Sequence, residues 1–180
     1  MDSGAGEVVG DTGGRAHRLP ADAQRLRIPL HQRSQQRMMS RWGFTIDAPD
    51  AAQRAQGFVK EQSDEAEPLV LLASVLSSRG DDTAALDAAR RALELAPGSA
   101  SAHTTMSAIE GRRGDVVSAL AHASRAVTLD ADDPAAVYNR GALLWMTGDR
   151  RAAREDFSGA ARLLGVEPLR RRWPVWKKRG

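Results

Sequence analysis

From residue 66 onward, apolar positions recur with the period of an α-helix and break off at regular intervals. Leu69, Leu72, Val75 and Leu76 fall at i, i+3, i+6 and i+7, which is one helical face. Gly80 follows, and glycine accepts the left-handed conformation in which helices commonly end. Asp81 or Asp82 is then placed to cap a second helix by accepting from its free N–H groups. Ala85, Ala89, Ala92 and Leu95 run a stripe of mostly small side chains along that second helix, which lets two antiparallel helices approach closely. Pro97 stops it.

The same pattern returns twice. Gly80, Gly114 and Gly148 are spaced 34 residues apart, and each is followed by an aspartate. The same step joins Ala85, Ala119 and Ala153, then Ala92, Ala126 and Ala160, then Leu95, Leu129 and Leu163. Identical triples in one register predict three tandem helix pairs, over 66–99, 100–133 and 134–167. The third pair starts cleanly, with Asp133 as cap and Pro134 at the first helical position. The predicted fold class is all-α, a solenoid of helix–turn–helix repeats.

These residues resemble the tetratricopeptide repeat family. The third repeat carries the likeness best, through Tyr138-Asn139-Arg140-Gly141, Gly148-Asp149, Ala153, Phe157 and Ala160. The first supplies Ala73, Gly80, Ala85, Ala92 and Pro97; the second supplies Ser107, Gly114, Ala119 and Ala126. The second departs from the pattern at Glu110, where a bulky apolar residue is usual, and at Ala131, where proline is usual. The resemblance implies a right-handed superhelix whose first helices line a concave groove. It implies groove positions at Thr105 and Arg112 in the second repeat and at Tyr138, Asn139, Ala142, Trp145 and Met146 in the third. Tyr138 and Trp145 would form an aromatic hot spot, with Met146 beside them and the small Gly141 and Ala142 leaving room for an inserted side chain. One subfamily holds acidic C-termini through a two-carboxylate clamp built on cations. Here Val70, Ser74, Thr105, Ala135 and Asn139 stand at those places, and a carboxylate without a cation is not favourably buried. The function implied is a non-catalytic interaction module, a scaffold subunit, assembly factor or chaperone that binds another protein.

Outside the repeats, residues 48–65 read as one capping helix, with Asp50 as its cap and Phe58 and Val59 on an apolar patch. Residues 1–47 are rich in glycine, glutamine and arginine. They are expected to form an extended, disordered basic arm with Trp42 and Phe44 as anchors. The tail 168–180 interleaves Arg171, Arg172, Trp173, Trp176 and Lys177 about Pro174. It suits a fold-back cap, a contact with a partner protein, or a phosphate or lipid surface.

Composition narrows the chemistry. The 180 residues carry a formal charge of +3, but its distribution is uneven. The repeats and the helix before them are mildly acidic, and the basic charge sits on the two ends. Those ends support the alternative function, an accessory protein for nucleic acid or an anionic membrane surface. There is no cysteine, hence no disulfide and no thiolate metal site. The arginine-over-lysine, alanine-rich usage fits a GC-rich bacterial genome. No apolar run approaches a membrane span and no secretory signal opens the chain, so a cytoplasmic location is expected. Four histidines, His17, His31, His103 and His122, lack neighbouring ligands at metal spacing. Asp81-Asp82 and Asp132-Asp133 sit where helix caps are expected. No enzyme, cofactor, metal or small-molecule substrate is expected.

Overall fold

A computed structural model describes residues 18–166. Among them are the helices α1 (Ala21–Arg25), α2 (Arg27–Trp42), α3 (Ala51–Glu61), α4 (Ala66–Ser78), α5 (Asp82–Leu95), α6 (Ala100–Arg113), α7 (Val116–Leu129), α8 (Pro134–Thr147) and α9 (Arg150–Leu163). Helices α4/α5, α6/α7 and α8/α9 pack as antiparallel pairs, and the first helices α4, α6 and α8 are neighbours in that order.

The repeated Gly-Asp dipeptide does two jobs at each turn. Gly80, Gly114 and Gly148 have φ of 81°, 87° and 95°, a region where only glycine is unstrained. Each following aspartate accepts a hydrogen bond from the third residue of the next helix: Asp81 from Ala84 at 3.1 Å, Asp115 from Ser118 at 3.2 Å, Asp149 from Ala152 at 3.1 Å. In the first two turns the aspartate's own N–H also closes the previous helix, on Leu76 and on Glu110. One dipeptide therefore ends one helix and starts the next.

Small residues set the spacing inside each pair. Ala85, Ala119 and Ala153 are fully buried, as are Ala92, Ala126 and Ala160. The tightest approach is at Gly141, where a methyl group would lie 3.0 Å from Cβ of Asp156 and 3.1 Å from the Phe157 ring. Asp156, buried beside that contact, takes a two-pronged hydrogen bond from Arg140 at 2.6 and 2.8 Å. The pairing offsets the desolvation of this buried carboxylate, which would be strongly destabilising if left alone.

Helix α3 packs on α4 and covers the open side of the first repeat. Asp50 stands at its cap position but makes no capping bond; its carboxylate lies 3.9 Å from Arg54 instead. Phe58 and Val59 lie against the core of the first repeat. Arg79, at the end of α4, donates to the carbonyls of Ala48 and Pro49 and fastens the preceding loop.

The expectation of a disordered arm over 1–47 is overturned for residues 21–42, which form α1 and α2. Pro29 does not prevent this, because it lies in the first turn of α2, where the missing N–H had no helical partner. Residues 1–17 lie outside the described residues, as do the tail residues Arg171, Arg172, Trp173, Trp176 and Lys177.

Candidate functional site

The inner face of the stack is built from α4, α6 and α8, and α2 runs across it from the third repeat to the first. At the third repeat, Ala23 and Leu26 are buried in one cluster with Val137, Tyr138 and Phe157, and Leu30 packs against it. Arg33 donates to the carbonyl of Leu163 at 2.9 Å. At the first repeat, Met38 and Trp42 pack against the cluster that contains Phe44, Leu71 and Val75. Trp42 and Phe44 both meet Phe58, with ring centroids 4.9 and 6.4 Å apart. Arg41 pairs with Glu67 on α4. The two aromatic residues expected to anchor the arm thus sit at its far end.

Between these two attachments a cleft of about 220 Å³ remains. Its α2 wall presents Arg33, Arg37 and Arg41 with Leu30, Met38 and Trp42. Its repeat wall presents Glu67 and Asp133 among Val70, Ser74, Thr104 and Thr105. The walls are therefore opposite in charge.

The structure separates the expected hot-spot residues. Tyr138 is only 8% exposed, and its ring lies 5.6 Å from that of Phe157. It is covered by α1 on one side and α9 on the other, and burial pushes its phenol up from the usual range. The room expected at Gly141 is filled by Asp156 and Phe157. Met146 does not lie beside Trp145; it packs toward Ala119, Ala123 and Leu143. That follows from the helix, since adjacent residues point about 100° apart. Trp145 is half-buried. Its indole N–H donates to the carbonyl of Arg18 at 3.1 Å, and the Arg150 guanidinium stacks 3.9 Å from the ring centroid. Ala142 is partly buried in the same third-repeat cluster.

Arg112 is engaged within the stack. It donates to Ser77 and, at 2.5 Å, to Asp82, so it ties α6 to the first repeat. Asn139 bridges the next pair by donating to the Thr104 carbonyl at 3.4 Å. Of the expected groove residues, Thr105 lines the cleft.

A second polar cluster lies between α6 and α7. The Nδ1 atoms of His103 and His122 are 2.9 Å apart, and His103 Nε2 is 3.1 Å from the carbonyl of Pro97. Only an N–H can bond a carbonyl. His103 therefore carries its proton on Nε2, and its Nδ1 accepts from His122. Burial holds both imidazoles below their usual range. Glu110, whose carboxyl is pushed up by burial, is 3.9 Å from His122 Nε2. Two departures from the repeat pattern signalled this cluster in the sequence: Glu110, and His103 at a position that is usually apolar. Among the described residues no three His, Cys, Asp or Glu side chains are grouped to hold a metal. Likewise, no described helix is long and apolar enough to cross a membrane.

No protein-family model matches the chain, and no curated protein matches it. Solved structures do. The crystal structure of MamA aligns at 22% identity with a TM-score of 0.56, covering 79% of this chain and 80% of that one. TTC0263, a thermophilic TPR protein of Thermus thermophilus, aligns at 19% identity with a TM-score of 0.58, covering 77% and 74%. YrrB, described as a TPR protein with an unusual peptide-binding site, aligns at 16% identity with a TM-score of 0.50, covering 82% and 87%. At such identities the likeness speaks for architecture, and the chain has the all-α, tetratricopeptide-like repeat fold.

Proposed function

We propose that this protein is a non-catalytic interaction module that holds a segment of a partner protein in the groove formed by α4, α6 and α8. One observation carries the reading: that face already accommodates a helix, α2, along the span from the third repeat to the first. A surface that receives a helix of its own chain has the width and mixed apolar–polar lining to receive a foreign one. The partner contacts assigned by this reading are Val70, Ser74 and Thr105 on the cleft wall. Scaffold and assembly roles both follow from such a groove.

The test is affinity capture with the full chain, followed by mass spectrometry and by binding measurements on the recovered protein. A partner that binds the unmodified chain and is lost by a Ser74→Arg, Thr105→Arg double variant supports the groove. A partner that ignores those changes and dissociates steeply with salt, as phosphate contacts do, transfers the function to the basic ends.

A further inference from the structure

Helix α2 spans the inner face, yet none of its 16 residues is buried. Its ends are fastened through Leu26 and Phe44, both buried just outside the helix, and its middle stands off above the cleft. The polar contacts of Arg41 and Arg33 with the repeats are modest, while Gln35 holds Ile46 and Asp47 in the loop that follows the helix. The Arg41–Glu67 pair is more than half exposed on both sides, and exposed pairs contribute little to stability. Arg33 adds one hydrogen bond to a helix-end carbonyl. A segment with few buried contacts opens more readily than the core beneath it.

The chemistry of the covered surface is specific. Toward the cleft α2 turns three arginines and no acid, interleaved with Leu30, Met38 and Trp42. The repeat wall opposite carries two carboxylates, Glu67 and Asp133, and no base. We propose that the inner groove is a receptor for a basic amphipathic helix of a partner protein, and that α1 and α2 keep it closed in cis by offering the same kind of face. The proposal rests on the groove reading above and gives it a ligand chemistry. An incoming helix that brings arginine or lysine opposite Glu67 and Asp133, and fuller apolar side chains into the cleft, makes the contacts α2 makes and fills space α2 leaves empty. Because both helices need one surface, the observed affinity is scaled down by the fraction of molecules in which α2 is displaced.

The probe is a fluorescent synthetic peptide of residues 18–47, titrated into the full chain and followed by anisotropy. Two opened forms are compared with the unmodified chain. Leu26→Asp places a charge in the third-repeat attachment, and the double change Arg33→Ala, Arg41→Ala alters exposed side chains alone. The opened forms are expected to bind the peptide at least roughly tenfold more tightly than the unmodified chain. Glu67→Arg in an opened chain is expected to weaken binding by roughly fivefold, and a peptide carrying Arg41→Glu to recover it, since a charge swap restores complementarity. If opened chains of unchanged helicity bind no tighter, or the charge swap has no effect, the proposal is overturned. A concentration-dependent dimer of the unmodified chain in sedimentation, lost on opening, names a second copy as the occupant and also overturns it. A captured partner that still needs Ser74 and Thr105 while the peptide fails leaves the groove reading standing and removes only its helix chemistry. Loss of both removes both.

Discussion

Trp145 donates its indole N–H to the backbone carbonyl of Arg18, a residue 127 positions earlier in the chain. The bond joins the last repeat to the segment that enters α1, and it fixes which way the indole faces. An aromatic residue expected to await a partner is thereby engaged by its own chain.

Trp145→Phe keeps most of the ring and removes this donor. Loss of one such bond costs about 1 kcal/mol, and the cost falls on the attachment of α1 and α2 rather than on the stack. Amide exchange over residues 18–42 should accelerate by roughly fivefold, with α4 to α9 unchanged. Equal acceleration in α8 and α9 would place Trp145 in the repeat core.

Two glycine-to-alanine changes should act in opposite directions. At Gly141 the new methyl group meets Asp156 and Phe157 at about 3 Å, and overpacking of this kind costs roughly 1–3 kcal/mol. At Gly57, inside α3, nothing lies within 4 Å; there alanine should stabilise by about 0.5–1 kcal/mol through its helix preference. Paired thermal melts decide both.

Ala119 is fully buried and packs in a cluster with Ala123 and Leu143. A methyl group on Gly111 of the facing helix would lie 3.9 Å from its Cβ. Ala119→Leu should therefore overpack the α6/α7 contact and destabilise by roughly 1–3 kcal/mol. An unchanged melting temperature would contradict so close an approach of the two helices.

The His103–His122 pair predicts a pH dependence. Burial lowers both imidazoles, and His103 also feels His122 and Arg125. A group whose folded pKa lies below its unfolded one takes up protons more readily when unfolded. Its contribution is complete above about 6.5 and is lost as pH falls through the folded value. Protonating both rings would also set two Nδ1–H groups against each other. Glu110 acts in the opposite sense. Its carboxyl is raised by burial and by Asp115, with Arg90 opposing. Its contribution is present at low pH and is lost as pH rises through the folded value. As pH falls below about 6.5, the loss from the two histidines should exceed the gain from the single Glu110, so the melting temperature should drop. The double change His103→Gln, His122→Gln should flatten that drop. A drop of the same size in the variant would assign it elsewhere.

The repeat was legible because each of its signals is local. Gly80 and Asp81 act within a single turn, and alanine at 34-residue spacing needs no knowledge of distant partners. The groove contents were not legible for the same reason. Helix α2 buries none of its own residues, and its one apolar line, Leu30, Met38 and Trp42, is thin and interrupted by Ser34 among arginines and glutamines, too weak a stripe for a sequence reading to place. Its place is decided by contacts across the whole chain, such as Arg33 with Leu163 and Arg41 with Glu67. Arg112 shows the same limit. Its position on α6 pointed to the groove, but its long side chain reaches Ser77 and Asp82 of the previous repeat.

A stack of helix pairs with free ends behaves as a spring, in which small rotations at each junction add up along the axis. Here a 16-residue rod, about 24 Å long at 1.5 Å per residue, is attached near both ends of the stack. While seated it acts as a string acts on a bow, limiting how far the first and third repeats can part and so how far the stack between them can straighten. Removing the string would let the bow relax, and the convex side, formed by α5, α7 and α9, would change shape along with the side that was emptied.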